Sequence, residues 1–233
     1  MASSAKTDRG FEFYETPRAY TRYLFSELLH RSTPIMGRVF EPCVGSGAIL
    51  RASHAWIADT RAPQIRDKFP DEWVTNDLDP RWKADFHKDA RDPALWEAVG
   101  PIDFTISNTP FTPAIEIIEN ALQYSRVGAA FHLRASIHEV LKTGTRRTWM
   151  RRHLPTGILY LPRFAYQRSP KTGEWTTDSV TACWVVWLKG YEHFSGQFID
   201  YAPEWVIDAL DAETPAYRRR MDALSPVRGK LPH

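Results

Sequence analysis

Three short stretches carry residue types whose spacing could do chemistry. The first is Glu41-Pro42-Cys43-Val44-Gly45-Ser46-Gly47, an apolar run that ends in a tight glycine turn. Glycines there let a ligand approach the backbone, because no Cβ stands in the way. A plain structural turn is the alternative. The second is Asp77, which closes the strand-like run Trp73-Val74-Thr75-Asn76-Asp77. In an open α/β sheet an acidic side chain at that place accepts hydrogen bonds from ribose hydroxyls. Taken alone it is equally a surface carboxylate. The two features together point to a nucleoside-containing cofactor, and they fit a nicotinamide cofactor and S-adenosylmethionine alike. Position 50 is Leu, where a GxGxxG pattern would place its third glycine. That argues against a diphosphate cradle and so against a dinucleotide. The third stretch is Asn108-Thr109-Pro110-Phe111, directly after the apolar run 102–107.

The elements that must position these residues can be read from the patterning. Thr16-Pro17 predicts a helix start, with Thr as the cap and Pro in the first turn. Tyr20, Leu24 and Leu28 then share one helix face, and Ser, Thr, Pro and Gly stop the helix before residue 37. Residues 38–43 read as a strand running into the glycine turn, with a helix opening at Ala48. Further strands are predicted over 73–77, 102–107 and 127–133, with Ile115, Ile118, Ala121 and Leu122 marking a helix between the last two. Runs 156–166 and 180–188 read as two more strands, joined by a polar loop, 167–178, that contains Pro170 and Gly173. Alternation of strands and helices implies a mostly parallel sheet covered on both faces. The last two strands leave no room for a crossover helix, so they should pair as an antiparallel hairpin at one edge of the sheet.

With these stretches in place, the chain resembles the class I S-adenosylmethionine-dependent amino-methyltransferases, in particular phage-type N6-adenine DNA methyltransferases. Their motif at the place of Asn108-Thr109-Pro110-Phe111 is Asn/Asp/Ser-x-Pro-Tyr/Phe. Phe13-Tyr14-Glu15-Thr16-Pro17 is similar to the family's N-terminal cofactor motif, 41–47 to its glycine motif, and Asn76-Asp77-Leu78-Asp79-Pro80 to its acidic second-strand motif. Asp89 is similar to the acidic residue before the catalytic strand. The resemblance spans residues 11–190 in the family's order. It implies a Rossmann-like α/β fold with a mostly parallel seven-stranded sheet and a C-terminal antiparallel hairpin. It also implies S-adenosylmethionine as cofactor, held by Phe13, Tyr14, Thr16, Pro17, Glu41, Pro42, Cys43, Gly45, Gly47, Asp77, Leu78, Asp89 and Asn108. Catalysis would fall to Asn108, Thr109, Pro110 and Phe111.

In that family the Asn side-chain oxygen and the next backbone carbonyl take the two hydrogens of an exocyclic amine, whose lone pair is otherwise delocalised into the ring. Pro110 would stiffen the turn, and Phe111 would offer a face for the base to stack on. Positioning carries most of the rate, no metal is needed, and the base must leave a duplex to enter. Asn at the first position favours adenine N6 over cytosine N4. Thr109 departs from the Pro usual in the DNA enzymes, and ribosomal RNA adenine dimethylases tolerate such a residue. DNA is favoured over RNA; methylation of RNA adenine or protein glutamine, and a catalytically silent nucleic-acid-binding partner subunit, are the alternatives.

The second half resembles phage-encoded adenine methyltransferases more weakly, through Leu161-Pro162-Arg163-Phe164, Thr177-Asp178-Ser179 and Trp184-Val185-Val186-Trp187. Arg163 and Asp178 could line a base pocket or pair with each other, and Trp184 and Trp187 read first as core. Arg146, Arg147, Arg151, Arg152 and His153 could lie along one helical face and, with Arg163, contact phosphates, with a solvated surface as the alternative.

Composition bounds the rest. The 233 residues carry 30 Lys and Arg against 28 Asp and Glu, a net charge of +2, so an anionic partner must be held by a local patch. The longest strongly apolar run, 180–188, falls far short of the ~20 residues of a membrane helix. The N-terminal stretch has no apolar signal core, and the two cysteines form no zinc pattern, so a cytoplasmic chain without metal is expected. The expected organisation is a flexible tail over 1–10, a catalytic domain over 11–190 and a C-terminal extension over 191–233 packed on or near it. The extension is short for a recognition domain, so target recognition is expected from the loops 142–152 and 167–178, the C-terminal segment, a homodimer or a partner.

Overall fold

In a computed structural model, the described residues are 14–31, 37–59, 70–138, 145–169, 172–177, 181–190 and 197–224. They form, in order, α1 (Arg18–His30), β1 (Gly37–Glu41), α2 (Ala48–Asp59), β2 (Pro70–Thr75), α3 (Pro93–Val99), β3 (Ile102–Ser107), α4 (Ala114–Tyr124), β4 (Ser125–Arg134), α5 (Thr145–Arg152), β5 (Gly157–Tyr160), β6 (Ala182–Leu188), β7 (Phe198–Tyr201) and α6 (Glu204–Leu224). The seven strands make one sheet in the order β2-β1-β3-β4-β6-β5-β7. β1 is parallel to β2 and β3, and β3 to β4. Helices occupy each of these crossovers, as parallel neighbours require.

β6 runs antiparallel to both β4 and β5, pairing Phe131 with Val185 on one side and Leu159 with Trp184 on the other. The expected β5–β6 hairpin is therefore present, but it does not form the edge. β7 pairs in parallel with β5 and is the outermost strand.

Both faces are covered, so the central strands alternate between two cores. Ala130, Trp184 and Val186 face α1, α2 and α6, where Tyr20, Leu24, Ile49, Val206 and Tyr217 are buried. Ala129, Phe131, Cys183, Val185 and Trp187 face the other way, onto Trp96, Ile117, Ile118 and Trp149. This double burial is why β6 is apolar throughout. Trp184 and Trp187 are core residues whose indole N–H groups donate to the carbonyls of Tyr20 and His153, each at 2.9 Å.

Several boundaries differ from the sequence reading; β1 spans Gly37–Glu41 instead of 38–43 and β4 Ser125–Arg134 instead of 127–133. Thr16 does not cap α1: Pro17 is the cap residue and has no side-chain acceptor to offer, while the Thr16 hydroxyl accepts an amide hydrogen of Asn108. β2 starts at Pro70 and ends at Thr75, since proline is tolerated at the first residue of an edge strand. β5 stops at Tyr160, and residues 161–166 continue as irregular chain past Pro162.

Candidate functional site

The chain leaves β1 for β2 on one side and returns to β3 on the other. The carboxyl ends of β1 and β3 therefore flank a crevice where the strand order reverses, the place where open α/β sheets bind ligands. A cleft of about 120 Å³ lies there, lined by Tyr14, Glu15, Thr16, Glu41, Cys43, Val44, Gly45, Ser46, Asp77, Leu78, Asn108 and Pro110, among others. The three stretches singled out by their chemistry thus converge.

The glycine turn is shaped by backbone needs. Gly45 and Gly47 have φ of 50° and 75°, in the left-handed region that other side chains rarely adopt. Asp77 braces the turn: one carboxylate oxygen accepts the Gly45 N–H at 2.7 Å and the other the Asp79 N–H at 2.9 Å. Burial is the main reason its carboxyl titrates above the ordinary aspartate value, against the opposing pull of those two N–H groups.

Glu41 is 1% exposed, and among the described residues no donor reaches its Oε2. Burial first, and then the nearby Asp77 charge, push its carboxyl well above the usual range. An unpaired buried carboxyl in the cleft wall is a costly feature unless a cationic ligand group meets it. Burial also pushes the Cys43 thiol up to about 12, so it is no nucleophile at neutral pH.

Asn108 has both amide hydrogens committed, to the Tyr14 carbonyl at 2.7 Å and to Thr16 Oγ1 at 2.9 Å. Its Oδ1 lies 3.2 Å from His132 Nδ1. On that far side a second, smaller cleft opens, lined by Tyr14, Asn108, Phe111, His132, Leu133, Arg134, Tyr166 and Ala182. The rings of Tyr14 and Phe111 are 5.9 Å apart, Tyr166 meets Tyr14 edge-on at 6.0 Å, and the Arg134 guanidinium sits 4.3 Å from the Phe111 centroid. Asn108 and Tyr14 thus form the wall shared by both clefts.

The remaining expected residues divide. Pro17 is buried at the start of α1, and the Pro42 carbonyl accepts from Asn76 Nδ2 at 2.9 Å; neither lines a cleft. Gly47 and Thr109 shape the walls without lining them, with Thr109 Oγ1 3.7 Å from Cys43 Sγ. Asp89 lies outside both linings and pairs with Arg91, which holds its carboxyl below the usual range. Arg151, Arg152 and Arg163 are exposed, with Arg151 and Arg152 on α5. Phe13 and Asp178, and the side chains of Arg146 and Arg147, lie outside the described residues.

Sequence reasoning missed Glu15, His132 and Tyr166. Glu15 is 3% exposed and gathers Ser46 Oγ at 2.7 Å and Arg220 at 2.8 and 3.0 Å, tying the glycine turn to α6. Its place between Tyr14 and Thr16 in the quoted motif was the available signal. His132 and Tyr166 meet the site only through β4 and the irregular chain after β5, and nothing local marks them.

Among the described residues no group of three or more His, Cys, Asp and Glu could hold a metal, and no helix is long and apolar enough to cross a membrane. No protein-family model matches the sequence, and no curated protein matches it. Solved structures do. A protein assigned as a class I S-adenosylmethionine-dependent methyltransferase from Listeria monocytogenes superposes with a TM-score of 0.57 at 14% identity, over 89% of this chain and 73% of that one. The modification subunit of a protein assigned as a type I restriction enzyme from Vibrio vulnificus gives 0.53 at 13% identity, over 86% of this chain. The methyltransferase subunit of a type I restriction-modification system from Streptococcus thermophilus gives 0.53 at 12%, over 88%. This chain spans 49% and 53% of those two subunits. Seven strands in a mixed sheet, a crevice at the β1/β3 reversal and these neighbours together show the Rossmann-like fold of the class I methyltransferases.

Proposed function

We propose that the chain transfers a methyl group from S-adenosylmethionine to the N6 amine of adenine in nucleic acid, with DNA favoured. The observation that carries this reading is the position of Asn108, whose amide forms the wall between a polar cleft at the glycine turn and an aromatic cleft beyond it. The residues of the first cleft suit the cofactor. Asp77 supplies acceptors for a ribose, Gly45 leaves the backbone open, and the orphaned Glu41 oxygen meets an amino group. S-adenosylmethionine bound there would supply an electrophilic methyl group.

Asn108 presents only its oxygen to the second cleft, because both of its N–H groups are used elsewhere. An oxygen fixed in this way accepts a hydrogen from an amine and draws the nitrogen lone pair out of conjugation. Tyr14, Phe111 and Tyr166 offer flat faces to a base. Two of the structural neighbours are named as a modification subunit and a methyltransferase subunit of type I restriction systems, which supports a nucleic-acid acceptor. Recognition of a target site would draw on the arginines of α5, on Arg163, and on a second copy or a partner.

Acceptor assays with tritiated cofactor test the reading. Label should enter an adenine-containing DNA oligonucleotide in preference to the matching RNA and to a glutamine-bearing peptide; label in the peptide alone would contradict it. In the same assay Phe111→Ala should weaken oligonucleotide engagement by about 1–3 kcal/mol, and Phe111→Trp by less.

A pH prediction follows from Glu41. Its burial favours the neutral acid, whereas a bound ammonium favours the carboxylate. Cofactor binding should therefore release a proton, and affinity should rise with pH until the free carboxyl is itself ionised. Isothermal titration at several pH values checks this: the rise should disappear in Glu41→Gln, and a persisting rise would place the ammonium elsewhere.

A further inference from the structure

We infer that His132 and Tyr166 are positioning residues that lock the Asn108 oxygen as a one-directional acceptor and so select an amino-bearing heterocycle over its oxo counterpart. The inference rests on the proposed role of Asn108 toward an amine.

The Tyr14 carbonyl can only accept, so the Asn108 NH2 group must face it, and Oδ1 must face His132. His132 is buried, stacked 5.9 Å from Tyr20 and edge-on to Trp184 at 5.4 Å. Burial among these rings pushes its imidazole down to about 3, so it is neutral. A neutral imidazole has one N–H. Facing a pure acceptor at 3.2 Å, that hydrogen belongs on Nδ1. Nε2 is then the acceptor and takes the Tyr166 hydroxyl proton at 3.2 Å. The polarity of the chain is set from the Asn108 end: Asn108 donates to Tyr14 and Thr16, His132 donates to Asn108, and Tyr166 donates to His132 in preference to the Tyr20 oxygen, whose own proton goes to the Pro162 carbonyl at 2.6 Å.

One consequence is geometric. An amide oxygen has two lone pairs. His132 occupies one, and the second points at the aromatic cleft. The other consequence is selectivity. Both amide hydrogens of Asn108 are already committed, so a carbonyl brought against Oδ1 would set two acceptors face to face. Turning the amide to greet it would set Oδ1 against the Tyr14 carbonyl. Buried polar groups left unpaired discriminate strongly between substrates that differ by one donor.

The first test needs no activity. In full-length protein with ¹⁵N-labelled histidine, long-range ¹H–¹⁵N correlation should show His132 as the Nδ1–H tautomer at neutral pH, identified by loss of its signals in His132→Asn. An Nε2–H tautomer would overturn the chain, and would mean that Tyr166 gives its proton to Tyr20 instead. The second test is kinetic. His132→Phe keeps the ring and removes the donor; its kcat should fall by about 10- to 100-fold, as expected for a misplaced catalytic group, while KM and cofactor affinity stay unchanged. His132→Asn places an N–H near the former Nδ1 and should recover most of the rate. A hypoxanthine-containing oligonucleotide should compete poorly against its adenine parent. Equal rates for the Phe and Asn variants, or equal competition by hypoxanthine, would remove the positioning role. A wild-type protein that labels no amine acceptor would instead count against the proposed function, while the tautomer measurement would still decide the hydrogen-bond chain.

Discussion

Asn108→Ala should leave S-adenosylmethionine affinity nearly intact and cut single-turnover methyl transfer by two to three orders of magnitude. The expected loss is about 3–4 kcal/mol, the size seen when one preorganised transition-state contact is removed. The split follows from what the side chain does. Its amide hydrogens brace the Tyr14–Thr16 segment, but its oxygen faces the second cleft. Alanine removes the acceptor at the moment the amine needs it. Asn108→Asp keeps an acceptor and should retain part of the rate, although it sets a carboxylate oxygen against the Tyr14 carbonyl. Rapid-quench transfer to an adenine oligonucleotide, with calorimetric cofactor affinity measured in parallel, separates the two quantities. A parallel loss of affinity and rate would make Asn108 a structural brace instead.

Asp77→Ala should weaken cofactor binding by about 2–3 kcal/mol, roughly 30- to 150-fold, through loss of a charge-assisted acceptor pair. The loss has two sources. The carboxylate holds the Gly45 and Asp79 N–H groups, so its removal frees a turn that must stay in the left-handed region. It also removes the ribose acceptor. Asp77→Asn separates the two, since its one remaining oxygen can still hold Gly45. Calorimetry should place Asn between the parent and Ala. Unchanged affinity in a folded Asp77→Ala protein would remove Asp77 from the cofactor site.

Much of this site was legible in the sequence because its residues sit at strand ends. β3 follows its apolar run residue for residue, and Asn108 is the first residue beyond it. The glycine turn and Asp77 occupy the equivalent places after β1 and β2. Other parts were obscured by tertiary effects. α3 carries a readable signal, Asp92 capping Ala94 with Pro93 in the first turn, but it is only seven residues long. α6 contains Pro215, which reads as a breaker; the helix continues through it, held by burial of Val206, Leu210 and Tyr217. β7 is four residues of half-exposed edge strand, too short for its alternation to stand out. His132 was hidden for a different reason. It alternates correctly as a buried strand residue, and only the approach of Tyr166 and Asn108 from distant parts of the chain turns it from filler into a hydrogen-bonding group.

The most direct measurement of the central claim is nucleoside mass spectrometry of digested DNA from cells expressing the protein or its Asn108→Ala variant. N6-methyladenine should appear above background with the parent protein and fall to background with the variant. Parent-dependent methylation found only on cytosine, or adenine methylation that survives in Asn108→Ala, would contradict the account.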